Sequence, residues 1–450
     1  MGTLHPVTGA SEGGDPYYPS SGNGGYDVQS YDISLDIDPA AAGVSGQTVV
    51  TATALQDLAA FYLDFIGLKV SAVTVGGAAA DFQKKGDKLK VTCPQTLATG
   101  SRFVVAVSYS GVPKGLSNKR GWQKDGDTIF TLDEAVGSAC WYPLNDTPAD
   151  KATYTFRLTV PQPYTATASG ILATTEAEGA KQTFVWKMEQ PMASYLAAVT
   201  VGRYEAETTH SPAGVVIRNY AAPDLSAAVH TGFGRTGEVL DYFATLFGPY
   251  PFGAYGIVAP DAKTGGAMEN QTLALFGRDF VSPDPDAAIW GLSHELAHQW
   301  FGDSVSIKHW DDVWLNEGFA TYATWLWVEH DQGEQAYHTE VQKYYDKMAA
   351  SDEPPPGKPG TRYLFSEGVY YKGALTLYAL RLTVGDDSFF RILRTWTDRY
   401  KYGNADTAEF MALAKEEAPQ VAPADLDSLF QAWLYGQQMP ALPSSTGTAG

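Results

Sequence analysis

The sequence predicts a β-rich first half followed by a mainly helical second half with a small sheet of its own. Two patterns point to this. The hydrophobic period changes from alternation to three-and-four spacing near Ala222, and the apolar runs before that point are short and bounded by Gly, Pro, Asn and Asp. The scale agrees: 450 residues, 44% hydrophobic and 13% aromatic, suffice for more than one large core.

Residues 1–25 are rich in Gly, Ser and Pro and predict a flexible leader; they lack the basic start and apolar stretch of a signal peptide. From Tyr26 the runs YDISLDID, QTVVTATAL, KVSAVTVGG, KLKVTC, RFVVAVSYS, ATYTFRLTVP, QTFVWKM and GVVIRNY predict an N-terminal β domain over 26–222, a sandwich or saddle. After APDLS, helical spacing begins with AAVHTGFGRTGEVLDYFATLF and defines a second domain over 223–437. Its further helices are read in DAAIWGLSHELAHQWF, EGFATYATWLWVEH, EQAYHTEVQKYYDKMAA, VYYKGALTLYALRL, DSFFRILRTWTDRY, TAEFMALAKEEA and DLDSLFQAWLYG. YGIVAPD, 255–261, predicts a strand among them, and SDEPPPGKPG, 351–360, an internal loop. Residues 438–450, ending in PSSTGTAG, predict a flexible tail.

The 51 acidic against 31 basic residues, a formal charge of −20, oppose binding to nucleic acid or anionic lipid. No run reaches the ~18 apolar residues of a membrane helix. Cys93 and Cys140 are too few for a disulfide framework and are expected to be unpaired.

The chemistry concentrates in SPDPDAAIWGLSHELAHQWFGD. Asp284 and Pro285 predict a helix start and Gly302 its end. A helix places His294 and His298, four apart, on one face a turn apart, with Glu295 beside the first: the HExxH arrangement of a zinc site. Catalytic zinc takes three protein ligands and keeps one position open for water. Glu317, which begins the helix in WLNEGFATYATW after 18 intervening residues, is the candidate third ligand; His309, in the polar loop KHWDD, is its rival.

Four motifs in order, GGAMEN at 265–270, HELAHQWFGD at 294–303, WLNEGFA at 314–320 and VYYKGA at 369–374, resemble the M1-type gluzincin zinc aminopeptidases, which include aminopeptidase N and leukotriene A4 hydrolase. Weaker similarity runs through WYPLNDTPADKATYTFRLTVP. The resemblance implies a β saddle domain and a thermolysin-like catalytic domain, in a short form lacking the C-terminal helical domain of many relatives. It implies one zinc ion on His294, His298 and Glu317, with Glu295 the general base for water and Tyr370 the donor to the oxyanion. Glu269 would pair with the substrate's free ammonium, helped by Glu134 in TLDEAVGS, and Gly265, Gly266, Ala267 and Met268 would line the substrate. Gly265, without a side chain, predicts a roomy pocket for the first residue, and the short form predicts acceptance of longer peptides. Leukotriene A4 hydrolase needs an Asp eight residues before the tyrosine; Arg362 stands there and argues against epoxide hydrolysis.

The expected function is a zinc metallo-aminopeptidase acting on peptides with a free N-terminus. The alternatives are a zinc endopeptidase and an inactive peptide-binding scaffold. A monomer is the expected state, and the resemblance to small two-domain forms favours a secreted or surface-associated protein over a cytoplasmic one.

Overall fold

The computed structural model describes residues 5–443. The chain forms two compact units: one takes residues up to Thr209 with Val216–Thr231 and Phe252–Pro283, the other His210–Val215, Gly232–Pro251 and the chain from Asp284 onward. This is more interleaved than a single cut at Ala222, because the strands near 255 and 275 join the first unit.

The first unit is built on an eight-stranded sheet in which Tyr26–Asp38 runs antiparallel to Gly43–Ala54 and parallel to Ala152–Pro161. Its burial explains the alternation in YDISLDID: Tyr31, Ile33, Leu35 and Ile37 are buried while Asp36 and Asp38 are exposed. Tyr26 and Val28 are buried too, although their parity differs, because the register shifts between Val28 and Ser30. A bulge there re-aims the strand by one residue. Beside it, Tyr31 stacks on Tyr154 with centroids 5.0 Å apart, and Tyr142 meets Tyr31 edge-on at 5.7 Å. Cys93 and the buried Cys140 are free thiols.

A second sheet of this unit carries Val216–Ala221, Ala254–Ala259 and Ala274–Phe276 in parallel. Short, wholly buried apolar runs such as AYGIVA suit such strands. The two-residue strand Ala267–Met268 pairs antiparallel with Ala274–Phe276, and so fixes the middle of the GGAMEN segment to a sheet.

Residues 5–25, expected to be a flexible leader, are instead tied down. Val7–Thr8 pairs with the strand Leu58–Asp64. The Asp64 carboxylate accepts from Gly22 N at 3.1 Å, Asn23 Nδ2 at 2.8 Å and Asp146 N at 3.0 Å, and pairs with Lys88 Nζ at 2.5 Å. Composition reports only that the segment is polar and small; its partners lie some 40 to 125 residues away and leave no local signal. Burial raises the Asp64 carboxyl, opposed by the Lys88 charge and these hydrogen bonds.

The second unit is mainly helical. Its principal helices are α1 (Thr236–Phe247), α2 (Pro285–Ala297), α3 (Trp314–Gln332), α4 (Glu334–Ala349), α5 (Gly373–Val384), α6 (Asp386–Arg399), α7 (Thr407–Glu417) and α8 (Pro423–Tyr435). Every residue of α3 from Trp314 to Trp327 is buried, which makes it the central helix and explains its lack of a polar stripe. Trp314 Nε1 donates to Thr407 Oγ1 at 2.8 Å, which ties the start of α3 to α7. The tail expected over 438–450 is described to residue 443, where Tyr345 Oη donates to the Pro440 carbonyl at 3.0 Å; 444–450 lie outside the described residues.

Asp64→Ala is expected to lower stability by about 1–3 kcal/mol, because it leaves the buried donors Gly22 N, Asn23 Nδ2 and Asp146 N without their shared acceptor. Denaturant unfolding reads this directly; a loss under ~1 kcal/mol, the scale of an exposed pair, would contradict the role given to Asp64.

Candidate metal centre

Helix α2 starts where the sequence predicts: the Asp284 side chain accepts from Asp286 N at 3.1 Å, with Pro285 in the first position. It ends sooner, at Ala297 with His298 as its cap, while Gly302, at φ 126°, belongs to the following turn. The His298 amide still bonds to the His294 carbonyl at 3.3 Å, so the one-turn spacing survives and the two imidazole centroids lie 4.8 Å apart.

Glu317, in the first turn of α3, closes the group. One carboxylate oxygen, Oε2, lies 3.1 Å from His294 Nε2 and 3.5 Å from His298 Nε2, and all three residues are buried. His298 Nδ1 is 3.0 Å from the Phe301 carbonyl, which can only accept, so this nitrogen carries the hydrogen and Nε2 of the neutral ring carries a lone pair. That lone pair faces a carboxylate oxygen. Two electron pairs so opposed in a buried site call for a proton or a metal cation between them, and the donor set fits zinc. His309 joins no such donor group among the described residues.

Burial pushes the His294 imidazole below its ordinary range, with the Glu317 hydrogen bond opposing. Burial alone would raise Glu317, but the facing His298 and the imidazole hydrogen bonds hold it below the usual carboxylate range. At neutral pH the site therefore offers a neutral imidazole and an anion, the protonation states a metal needs, and acid works against it.

Around this centre the second unit arranges two further groups. Glu295 offers an oxygen within 4.8 Å of a His298 ring nitrogen. The Tyr370 ring lies 5.8 Å from that of His294, 21° from parallel. Tyr370 sits in a π-helical turn, Gly368–Lys372, a distortion common at functional sites. The turn is held to the 351–360 loop: Gly368 N donates to Glu353 Oε2 at 3.2 Å, and the buried Lys372 ammonium donates to the Glu353 carbonyl.

Sequence reasoning missed the glycines that make this possible. A Cβ on Gly318 would come within 2.9 Å of Gly373 Cα, and one on Gly373 within 3.0 Å of Gly318 Cα. The backbone after Glu317 thus touches the backbone after Lys372, bringing the carboxylate and the tyrosine turn to one place. Both glycines were visible, in NEGFA and YYKGA, but each looked like an ordinary helix residue.

The first unit holds the remaining candidates. Glu134 and Glu269, 6% and 3% exposed, bring carboxylate oxygens within 4.8 Å of each other. Gly265 and Gly266 precede the strand Ala267–Met268, and a Cβ on either would meet nothing within 4 Å. Gly265 has φ 75°, and its amide and that of Thr264 donate to the Asp279 carboxylate at 3.2 and 3.1 Å. The turn therefore requires glycine at 265 on backbone grounds, so the missing side chain is no measure of pocket size.

Residues 28–196 match the family model of the peptidase M1 N-terminal domain, and residues 232–433 that of the peptidase family M1 domain. The chain belongs to peptidase family M1. Among M1 relatives it is 28% identical to aminopeptidase B of Rattus norvegicus over 78% of this chain and 57% of that one. It is 27% identical to aminopeptidase N of Lactobacillus delbrueckii over 83% and 47%, so it spans about half the length of these relatives. An M1 zinc metallopeptidase of Deinococcus radiodurans superposes with TM-score 0.88 at 31% identity, covering 97% of this chain and 100% of that one. The predicted order, a sheet-rich domain before a helical catalytic one, is that of the M1 fold, and zinc is the family metal that the His, His, Glu set suits.

Gly373→Ala is expected to cost about 1–3 kcal/mol by overpacking the α3–α5 contact. Chemical unfolding with the metal present measures it; a midpoint equal to the parent's would show that the helices have room there.

Proposed function

We propose that this chain is a zinc aminopeptidase, removing the N-terminal residue from peptides whose amine is free. The observation that carries the reading is the pair Glu134 and Glu269. Two buried carboxylates within 4.8 Å repel each other unless a cation or proton stands with them. A substrate ammonium is such a cation, and an enzyme cutting within a chain has no use for one. The D. radiodurans relative supports the substrate class, since one of its structures holds a Tyr-Ser-Ala substrate.

In this reading His294, His298 and Glu317 hold the metal, which when bound acidifies water and polarises the scissile carbonyl. Glu295 takes a proton from the attacking water as its oxygen adds to the carbonyl carbon, then returns a proton to the leaving nitrogen as the carbon–nitrogen bond breaks. The Tyr370 hydroxyl donates to the carbonyl oxygen as negative charge develops there, a contribution of about 2.7–4 kcal/mol for one such donor. Glu269, with Glu134, pairs with the ammonium one residue before the cut, while Gly265, Gly266, Ala267 and Met268 run beside the substrate. The four ordered motifs, in their resemblance to M1 aminopeptidases, support assigning both sets to one peptide.

Aminoacyl chromogenic amides, free and N-acetylated, test the proposal. Turnover of the free amides should stop with chelator and return with zinc, and the acetylated forms should be inert. Glu295→Gln should keep its zinc and lose ~10²–10⁴-fold in turnover, the usual worth of a general base. Glu269→Ala should weaken cleavage of free amides with zinc retained. Comparable cleavage of N-acetylated peptides would instead mark an endopeptidase.

A further inference from the structure

The two imidazoles at the metal centre are held in different ways. His298 Nδ1 donates to the Phe301 carbonyl at 3.0 Å. His294 Nδ1 is fully buried and, among the described residues, has no hydrogen-bond partner. Metal-ligating histidines almost always have their second nitrogen anchored, because that bond fixes the ring's orientation. His294 needs another constraint.

Two aromatic rings lie nearly parallel to its own. Trp290, one helical turn earlier on α2, lies 6.4 Å away and 9° from parallel, and Tyr370 lies 5.8 Å away at 21°. Both distances fall in the range of attractive aromatic contact. Trp290 is itself braced: Tyr344 of α4 stands 6.3 Å from it, and Tyr344 stacks on Tyr371 at 4.1 Å and on Trp325 at 5.5 Å. Since Tyr371 adjoins Tyr370, the rings close a circuit from His294 through Trp290, Tyr344 and the tyrosine turn back to His294.

We propose that Trp290 is a positioning residue for the metal centre: its ring, braced by Tyr344, does for His294 what the Phe301 carbonyl does for His298. A purely apolar filler of the same space would not fix the imidazole plane, whereas another aromatic ring would. The inference rests on the reading of His294 as a zinc ligand, and its test separates the two.

Zinc affinity is measured by chelator competition, and the cobalt-substituted protein's visible spectrum reports ligand geometry. Trp290 is only partly buried, so Trp290→Met and Trp290→Phe are the chosen variants. Trp290→Met should bind zinc about 10-fold or more weakly, the lower end for loss of a supporting partner, with an altered cobalt spectrum. Trp290→Phe should lose less than the ~10-fold that marks the lower end of that scale and keep the parent's spectrum. Should Trp290→Met fail to fold, Tyr344→Leu removes the brace and should shift affinity and spectrum in the same direction. Parent-like affinity and spectrum in Trp290→Met, or in Tyr344→Leu where that variant stands in, would overturn the proposal, as would equal losses in the Met and Phe variants. Glu317→Ala provides the separation. If it binds zinc like the parent, the ligand assignment fails; if it loses zinc while Trp290→Met keeps it, only the positioning role fails.

Discussion

A buried carboxylate oxygen faced by two imidazole nitrogens is the constraint around which the helical unit is arranged. Glu317 Oε2 stands 3.1 and 3.5 Å from the two Nε2 atoms, and the Phe301 carbonyl dictates which nitrogen of His298 carries the proton. Without a cation or a proton between them, the His298 Nε2 lone pair stands against the carboxylate in a dry environment, an expensive state. With a cation, burial turns to advantage, because low polarity strengthens every contact to the ion.

Holding that geometry requires two helices to approach more closely than side chains allow. The Gly318–Gly373 contact provides the approach, and the π-helical turn beside it carries Tyr370 to the face of His294. Fixing Tyr370, Glu317 and His294 through one backbone contact and one set of rings makes them a mechanical unit. The buried Lys372 and Glu353 add a tie from the 351–360 loop, so a segment rich in proline and glycine serves as the outer wall of the tyrosine turn.

Much of this was legible in the sequence because the chemistry is local. His294, Glu295 and His298 lie within one turn of a helix that Asp284 and Pro285 announce, and Glu317 opens the next long helix. The β half was legible because Ile33, Leu35 and Ile37 alternate with polar residues. What escaped depends on distance in the chain. The segment 5–25 reads as loose because Asp64, Asn145 and Asp146, which hold it, come much later. Gly265 suggested an open pocket, whereas its positive φ and the Asp279 carboxylate give it a turn to make. Trp290 reads as one more apolar residue on a buried helix, and only the missing partner of His294 Nδ1 distinguishes it.

The most direct measurement of the central claim is zinc-edge X-ray absorption on the purified protein, with zinc content per chain. The account predicts one zinc per chain in a shell of two imidazole nitrogens and carboxylate or water oxygens at about 2.0–2.2 Å. That signal should vanish in His298→Ala. A sulfur-containing shell, or a parent-like spectrum in that variant, would contradict it.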